Sequence, residues 1–192
     1  MKTLITGGVR SGKSFLAESL VVAAETVTYI APGPTGDDEL DPEWSARVAA
    51  HQERRPEHWE TIESADLGNA ILTAQGTLLI DCLGTWVTAM IGELDGWDKT
   101  LDDWEPEFWT RVEHAVLAMN QHREDVVVVS NEVGWSIVPE YRSGRLFRDL
   151  LGDKRLLGNY LLGGLSGFAL FALSQNLIPG LHGGAHAGIQ GA

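Results

Sequence analysis

Lys13 and Ser14 close the run Gly7-Gly8-Val9-Arg10-Ser11-Gly12-Lys13-Ser14, which fits G-x-x-x-x-G-K-[ST] at every fixed position. That spacing suits one task, holding a phosphate chain. Glycines let successive backbone N–H groups turn toward an anion, and the N-terminus of a following helix adds the positive end of its dipole. In such a loop Lys13 reaches the β- and γ-phosphates and the Ser14 hydroxyl holds Mg²⁺. A second constellation is Arg47, His51 and Arg55 at successive i, i+4 positions, with Arg54 three residues beyond His51. On a helix these share one face. Such a face could grip a polyphosphate around a histidine, and its arginines would disfavour imidazolium and leave His51 a neutral nucleophile. Spacing alone favours the plainer reading, an exposed basic face with a surface histidine. The third candidate is Asp81, which ends the apolar run Thr77-Leu78-Leu79-Ile80 in the manner of a Walker B carboxylate that ligates Mg²⁺ directly or through water. Asp81-Cys82-Leu83-Gly84 also spells D-x-x-G, but no Asn-Lys-x-Asp guanine-reading motif accompanies it, which counts against a regulatory GTPase.

These groups need elements to hold them. Thr3-Leu4-Ile5-Thr6 reads as a strand entering the glycine loop, and residues 13–24 as the helix leaving it. A second strand covers 26–31 and stops at Pro32-Gly33-Pro34, before an acidic loop at 36–39. Asp41-Pro42-Glu43 signals a helix start, with an N-cap candidate, proline in the first turn and a carboxylate near the dipole's positive end. That helix runs to about Arg55 and stops before Pro56. Residues 85–103 carry no readable period. Phe108, Val112, Val116 and Met119 recur at helical spacing and predict an amphipathic helix over 106–122, with His114 and His122 on its polar part. Trp97, Trp104 and Trp109 read as packing residues. The four consecutive valines of 126–129 predict a central parallel strand buried on both faces. It delivers Asn131 and Glu132 to the carboxyl edge, where ligands of such sheets bind. Alternating strands and helices behind a P-loop make the fold α/β, a parallel sheet flanked by helices.

The 192 residues suffice for one domain with a sizeable core. A net charge of −13 argues against nucleic acid as a partner, since a phosphate backbone selects a basic surface. The lone Cys82 excludes an internal disulfide and suits a reducing cytoplasm, and no signal-peptide pattern opens the chain.

Taken together, these stretches resemble the bifunctional adenosylcobinamide kinase/adenosylcobinamide-phosphate guanylyltransferase family of cobalamin biosynthesis. The family's opening T-G-G-x-R-S-G-K-S stands at residues 6–14, and its Y-I-A strand end at Tyr29-Ile30-Ala31. The most specific block, D-x-E-M-x-x-R-I-x-x-H-x-x-x-R-P-x-x-W-x-T-x-E, is matched by Asp41, Glu43, Arg47, His51, Arg55, Pro56, Trp59, Thr61 and Glu63, with Trp44 for Met and Val48 for Ile. N-E-V-G-x-G-I-V-P appears at 131–139 with Ser136 for the second glycine, and the match continues over 145–152. The resemblance implies a RecA-like P-loop fold, a homotrimer, ATP and GTP as substrates, and adenosylcobinamide and its phosphate as acceptors. It places the guanylylated histidine on His51, overriding the plainer reading of that face. With Lys13 as the kinase lysine, the nucleotide-binding candidates are Gly7, Gly8, Val9, Arg10, Ser11, Gly12, Lys13, Ser14, Ala31, Pro32, Gly33, Arg47, Arg54, Arg55, Pro56, Glu63, Asp81 and Glu132. Ser14 and Asp81 are the metal candidates, and the roles of Glu63, Asp81 and Glu132 stay unranked.

The resemblance spans residues 1–152, the expected catalytic domain. After Arg155 no Asp, Glu, Lys or Arg occurs, and residues 153–192 form a Gly- and Leu-rich segment of the same domain that departs from the family's final hydrophobic strand and leaves open whether a strand, a helix or neither stands in its place. Its run from Leu156 to Leu181 has the length of a bilayer span, although four glycines and several amides weaken that reading. Two other functions fit the motifs without the resemblance: another small-molecule P-loop kinase, or a nucleotide-dependent switch or membrane-associated binding module.

Overall fold

The computed structural model describes residues 1–33, 42–133, 138–152 and 168–173. In chain order the elements are β1 (Lys2–Gly7), α1 (Lys13–Val21), β2 (Val27–Ala31), α2 (Pro42–Arg54), β3 (Glu60–Glu63), α3 (Leu67–Thr73), β4 (Thr77–Asp81), α4 (Leu83–Glu93), α5 (Leu101–Gln121), β5 (Val126–Asn131), α6 (Arg142–Leu151) and β6 (Phe168–Leu173). The six strands form one sheet in the order β3-β2-β4-β5-β1-β6, every pairing parallel. The expected α/β architecture is present.

Strand alternation sorts the core into two layers. Leu4, Ile30, Leu78, Ile80, Val126 and Val128 point to the side covered by α3, α4, α5 and α6. Ile5, Tyr29, Leu79, Val127 and Val129 point the other way, against Ala17 and Val21 of α1 and against Trp59. The valines of β5 are therefore buried on both faces, between β4 and β1. All strands run the same way, so β1, β2, β4 and β5 bring their last residues to a single edge. That edge positions the site.

The structure departs from the sequence reading, or completes it, in four places. The period-free stretch 85–103 contains most of α4, whose Trp86, Val87, Met90 and Ile91 are buried. Helix α5 begins at Leu101 and not near Pro106, because burial of Trp104, Phe108 and Trp109 outweighs the hydrogen bond that Pro106 cannot donate inside the helix. Short β3 and α3 carried too little period to be read, and α3 is set by its cap, Asp66, which accepts from the Asn69 N–H at 3.1 Å. In the tail a strand stands in the final place. β6 pairs with β1 in register from Lys2 with Phe168 to Gly7 with Leu173, so the charge-free tail closes the outer side of β1. Its uniform apolarity hid the strand, since a run without alternation has no period to read.

Among the described residues no helix is long and apolar enough to cross a membrane. The acidic loop at 36–39, the cap candidate Asp41 and most of the tail lie outside the described residues. Trp104 and Trp109 are buried, as packing residues should be.

Phe108 is the hinge of the thicker layer, edge-on to Trp104 at 5.9 Å and to Trp109 at 5.1 Å between ring centroids. Phe108→Ala should cost about 3–5 kcal/mol, read as a lower urea midpoint at unchanged slope. A loss below about 1 kcal/mol would mean that this layer does not hold the fold as described.

Candidate active site

The loop from Gly7 to Ser14 turns as an anion cradle must. Arg10 and Gly12 have φ of 59° and 85°, in the left-handed region, and Gly12 sits at the N-cap of α1. No acidic residue occupies the first turn of α1, so the dipole's positive end is uncompensated. Lys13 is 9% exposed and curls back so that Nζ donates to the Gly8 carbonyl at 3.2 Å. The Ser11 hydroxyl is buried without a hydrogen-bond partner. A buried orphan hydroxyl and an inward-turned lysine fit a loop whose partner is a phosphate. The Glu132 N–H donates to the Gly7 carbonyl at 3.0 Å, which ties the end of β5 to the loop's first residue.

Asp81 stands at the end of β4, its side chain 6% exposed. The Tyr29 hydroxyl, reaching from β2, donates to Asp81 Oδ2 at 3.1 Å. Burial, and then the Asp81 charge, push the Tyr29 phenol well above its usual range, so it remains a donor. The same Oδ2 lies 3.7 Å from Nδ1 of His51, on the last turn of α2. His51 Nδ1 is also 3.3 Å from Nη2 of Arg54, and Arg54 pairs through two nitrogens with the Glu18 carboxylate, at 3.2 and 3.4 Å. Arg55 lies 3.5 Å above the Tyr29 ring and donates to Thr61 Oγ1 at 3.5 Å. The basic face read from the sequence is thus folded onto Asp81.

Burial is the main reason that the His51 pKa lies below its ordinary 6.5. Arg54 and Arg55 push the same way, while Asp81 and Glu18 oppose them. Desolvation, ahead of arginine charge, is thus the first cause that favours the neutral imidazole.

The other candidates sit as follows. Ala31, Pro32 and Gly33 follow β2, and Gly33 lies so close to Thr85 that an added Cβ would stand 2.7 Å from the threonine Cβ. Arg10 is exposed and 3.9 Å from Glu43 at the start of α2. Pro56 caps the turn after α2, its carbonyl accepting from Trp59 N–H at 3.0 Å. Glu63 is exposed and accepts from Gln52 at 3.3 Å. Val9 and Gly8 lie in the loop itself, and Arg47 contributes backbone to α2 while its side chain is outside the described set. Sequence reasoning placed Asn131 at the ligand edge but missed Glu18, the hydroxyl role of Tyr29, and the contacts that join Cys82, Thr85 and Asn131. Burial and the Asp81 charge raise the Cys82 thiol pKa, and Sγ donates to Asn131 Oδ1 at 3.3 Å. That oxygen also crowds Gly84, where an added Cβ would meet it at 2.5 Å. Lys13 acts on the Cys82 thiol in the opposite sense, which puts the P-loop lysine within electrostatic reach of the β4 end. Tyr29 was signalled only by the Y-I-A match, and Glu18 by nothing.

Ser14 and Asp81 fit a hard divalent cation. Both offer oxygen, and the Asp81 contacts to Tyr29 and His51 fall on Oδ2, leaving Oδ1 for a ligand. Among the described residues no cluster of three His, Cys, Asp or Glu side chains could hold a metal by itself. Such a cation takes its remaining ligands from phosphate oxygens and water, as Mg²⁺ does.

A proton titration of the metal-free protein should place the His51 imidazole midpoint below 6.5. Because folding favours the neutral ring, its contribution to stability is intact above about pH 6.5 and is lost as pH falls from there through the lowered value. Asp81→Asn removes a raising charge and should lower the midpoint further. A midpoint at or above 6.5 would show that the ring is not desolvated as the structure has it.

Residues 3–156 match the model of a family described as cobinamide kinase / cobinamide phosphate guanyltransferase. The chain is 38% identical over 161 residues to the bifunctional adenosylcobalamin biosynthesis protein CobU of Escherichia coli, covering 79% of this chain and 86% of that one. It is 36% identical over 160 residues to the bifunctional adenosylcobalamin biosynthesis protein CobP of Pseudomonas aeruginosa, covering 79% and 83%. Among solved structures, a prototypical ATPase from the type III secretion system of pathogenic bacteria superposes on 88% of this chain and 50% of its own, with a TM-score of 0.51 at 12% identity. That likeness is one of fold alone, a P-loop ATPase sheet.

Proposed function

The chain belongs to the cobinamide kinase / cobinamide phosphate guanyltransferase family, and on that premise we propose that it performs both reactions, with His51 as the residue that carries GMP. The observation that supports this most is the seating of His51, neutral and half-buried, 3.7 Å from the strand-end carboxylate beside the P-loop.

In the kinase step the backbone N–H groups of the loop hold the β- and γ-phosphates of ATP or GTP. Lys13 exchanges the Gly8 carbonyl for phosphate oxygen and neutralises charge that grows on the β–γ bridge. The hydroxyl of adenosylcobinamide attacks the γ-phosphorus; a P–O bond to the acceptor forms as the bridging P–O bond breaks. Mg²⁺, held by Ser14 and Asp81, supplies charge neutralisation to the phosphate chain.

In the guanylyl step His51 attacks the α-phosphorus of GTP, a P–N bond forms, and pyrophosphate leaves with the electrons of the broken P–O bond. Attack uses the lone pair of one ring nitrogen while the other carries the ring proton. Arg47, Arg54 and Arg55 orient the triphosphate. A phosphate oxygen of adenosylcobinamide phosphate then displaces His51, breaking P–N and giving adenosylcobinamide-GDP. Covalent transfer divides one hard displacement into two easier ones.

The reading extends to three further properties. Residues 1–152 form the catalytic unit with 153–192 joined to it, which the place of β6 in the sheet supports. The assembly is a homotrimer by family resemblance. The location is cytoplasmic, which the lone cysteine supports.

Lys13→Ala should slow phosphate transfer from γ-labelled nucleotide to adenosylcobinamide by roughly 10²- to 10³-fold. A variant within a few-fold of the parent would remove the P-loop from the kinase step. His51→Ala should abolish covalent uptake of label from α-labelled GTP while the kinase step largely persists, and the parental label should be acid-labile and alkali-stable. Continued covalent uptake by the alanine variant would put the nucleophile elsewhere and favour a small-molecule kinase with a structural histidine.

A further inference from the structure

The described side chains of α2 are tied to the molecule by polar contacts. None of them enters either apolar cluster. The ties are Arg10 to Glu43, Gln52 to Glu63, His51 to Asp81, and Arg54 to Glu18. The first is 80% and 79% exposed, and pairs of that kind contribute little. Glu18 is different. Its side chain is 11% exposed, and Arg54 meets both carboxylate oxygens, Nη2 with Oε1 at 3.2 Å and Nε with Oε2 at 3.4 Å. A forked pair of this kind fixes the guanidinium plane. The same Nη2 lies 3.3 Å from His51 Nδ1. Glu18 belongs to α1, the helix that starts at the P-loop lysine, while its neighbours Ala17 and Val21 face the sheet. One shielded carboxylate therefore connects the phosphate-binding helix to the guanidinium that lies against the histidine.

We propose that Glu18 is a positioning residue for guanylyl transfer, fixing Arg54 and through it the His51 ring relative to the P-loop helix. This rests on the reading of His51 as the nucleophile. In-line displacement at the α-phosphorus demands that the ring stand at a defined place above the bound triphosphate, and misplacement of about 1 Å costs as much as 10²-fold in rate. None of the described side chains of α2 joins an apolar cluster, and of its described polar ties the Glu18 pair is the one that meets both carboxylate oxygens. The kinase step takes no nucleophile from α2, so the place of the His51 ring, which Glu18 helps to set, bears on guanylyl transfer far more than on phosphate transfer to the acceptor hydroxyl.

The test compares the full-length parent with Glu18→Gln, Arg54→Gln and the double variant, in single-turnover uptake of GMP from α-labelled GTP. Glu18→Gln should lower the saturating rate by about 10- to 100-fold, with the KM for GTP within about threefold of the parent. In the Arg54→Gln background the second substitution should add nothing, since Glu18 acts through Arg54. Phosphate transfer to adenosylcobinamide by Glu18→Gln should match the parent. Hydrogen exchange should quicken in the amides of α2 alone. Parental labelling by Glu18→Gln, independent losses that multiply in the double variant, or an equal loss in the kinase step would each overturn the proposal. A parent that takes up no GMP would instead refute the reading of His51, and the exchange of α2 in Glu18→Gln would still decide whether the pair docks the helix.

Discussion

A carboxylate removed from water must be given donors, and that requirement organises the carboxyl edge of this sheet. Asp81 ends the buried strand β4 almost wholly out of solvent. Leaving such a charge unpaired costs several kcal/mol, on the order of a large share of a domain's stability. Tyr29 meets the need from the neighbouring strand with a hydroxyl whose proton burial secures. His51 approaches the same oxygen from above. The carboxylate is thus one of the polar contacts that seat α2, none of whose described side chains joins the apolar clusters. His51 is held by these contacts at the carboxyl edge, 3.7 Å from Asp81.

The parallel sheet makes this convergence possible. Strands β2, β4, β5 and β1 are consecutive in the sheet and all run one way, so four chain segments remote in sequence end side by side. The glycine loop, the Tyr29 strand, Asp81 and Asn131-Glu132 are brought together by topology, not by sequence proximity. The two layers then divide their work. One face is a deep hydrophobic layer under α3 to α6. The other is thinner, formed by α1 and Trp59, and it is the side on which the P-loop helix and the histidine helix meet through Glu18 and Arg54. Two phosphorus centres of one nucleotide chain, γ for the kinase step and α for guanylyl transfer, are a few bonds apart, so a single floor can serve both reactions.

The parts of this arrangement that are local were legible in the sequence. The P-loop was readable because its fixed positions reflect a turn geometry, and β5 because four valines admit only burial on both faces. The boundaries of β2, β4 and α2 followed from glycine, proline and apolar runs. What stayed hidden was tertiary. Helical spacing set Arg47, His51 and Arg55 on one face but could not say what that face meets, and without the family resemblance it favoured a surface histidine. Glu18 looks like any exposed helix glutamate until Arg54 is seen to cover it. β6 was unreadable because FALFAL lies in a long apolar tail without alternation, and only the open side of β1 selects it as a strand. α5 began earlier than its period suggested, because buried tryptophans can carry a helix past a proline.

The central claim is that His51 and the P-loop are parts of one site in which the histidine becomes covalently guanylylated. Incubating the intact protein with GTP and Mg²⁺, digesting it at alkaline pH and locating the adduct by mass spectrometry tests this directly. The account predicts one GMP, bound to the imidazole of His51 and lost on mild acid treatment. An adduct on any other residue, or pyrophosphate release with no adduct on the protein, would contradict it.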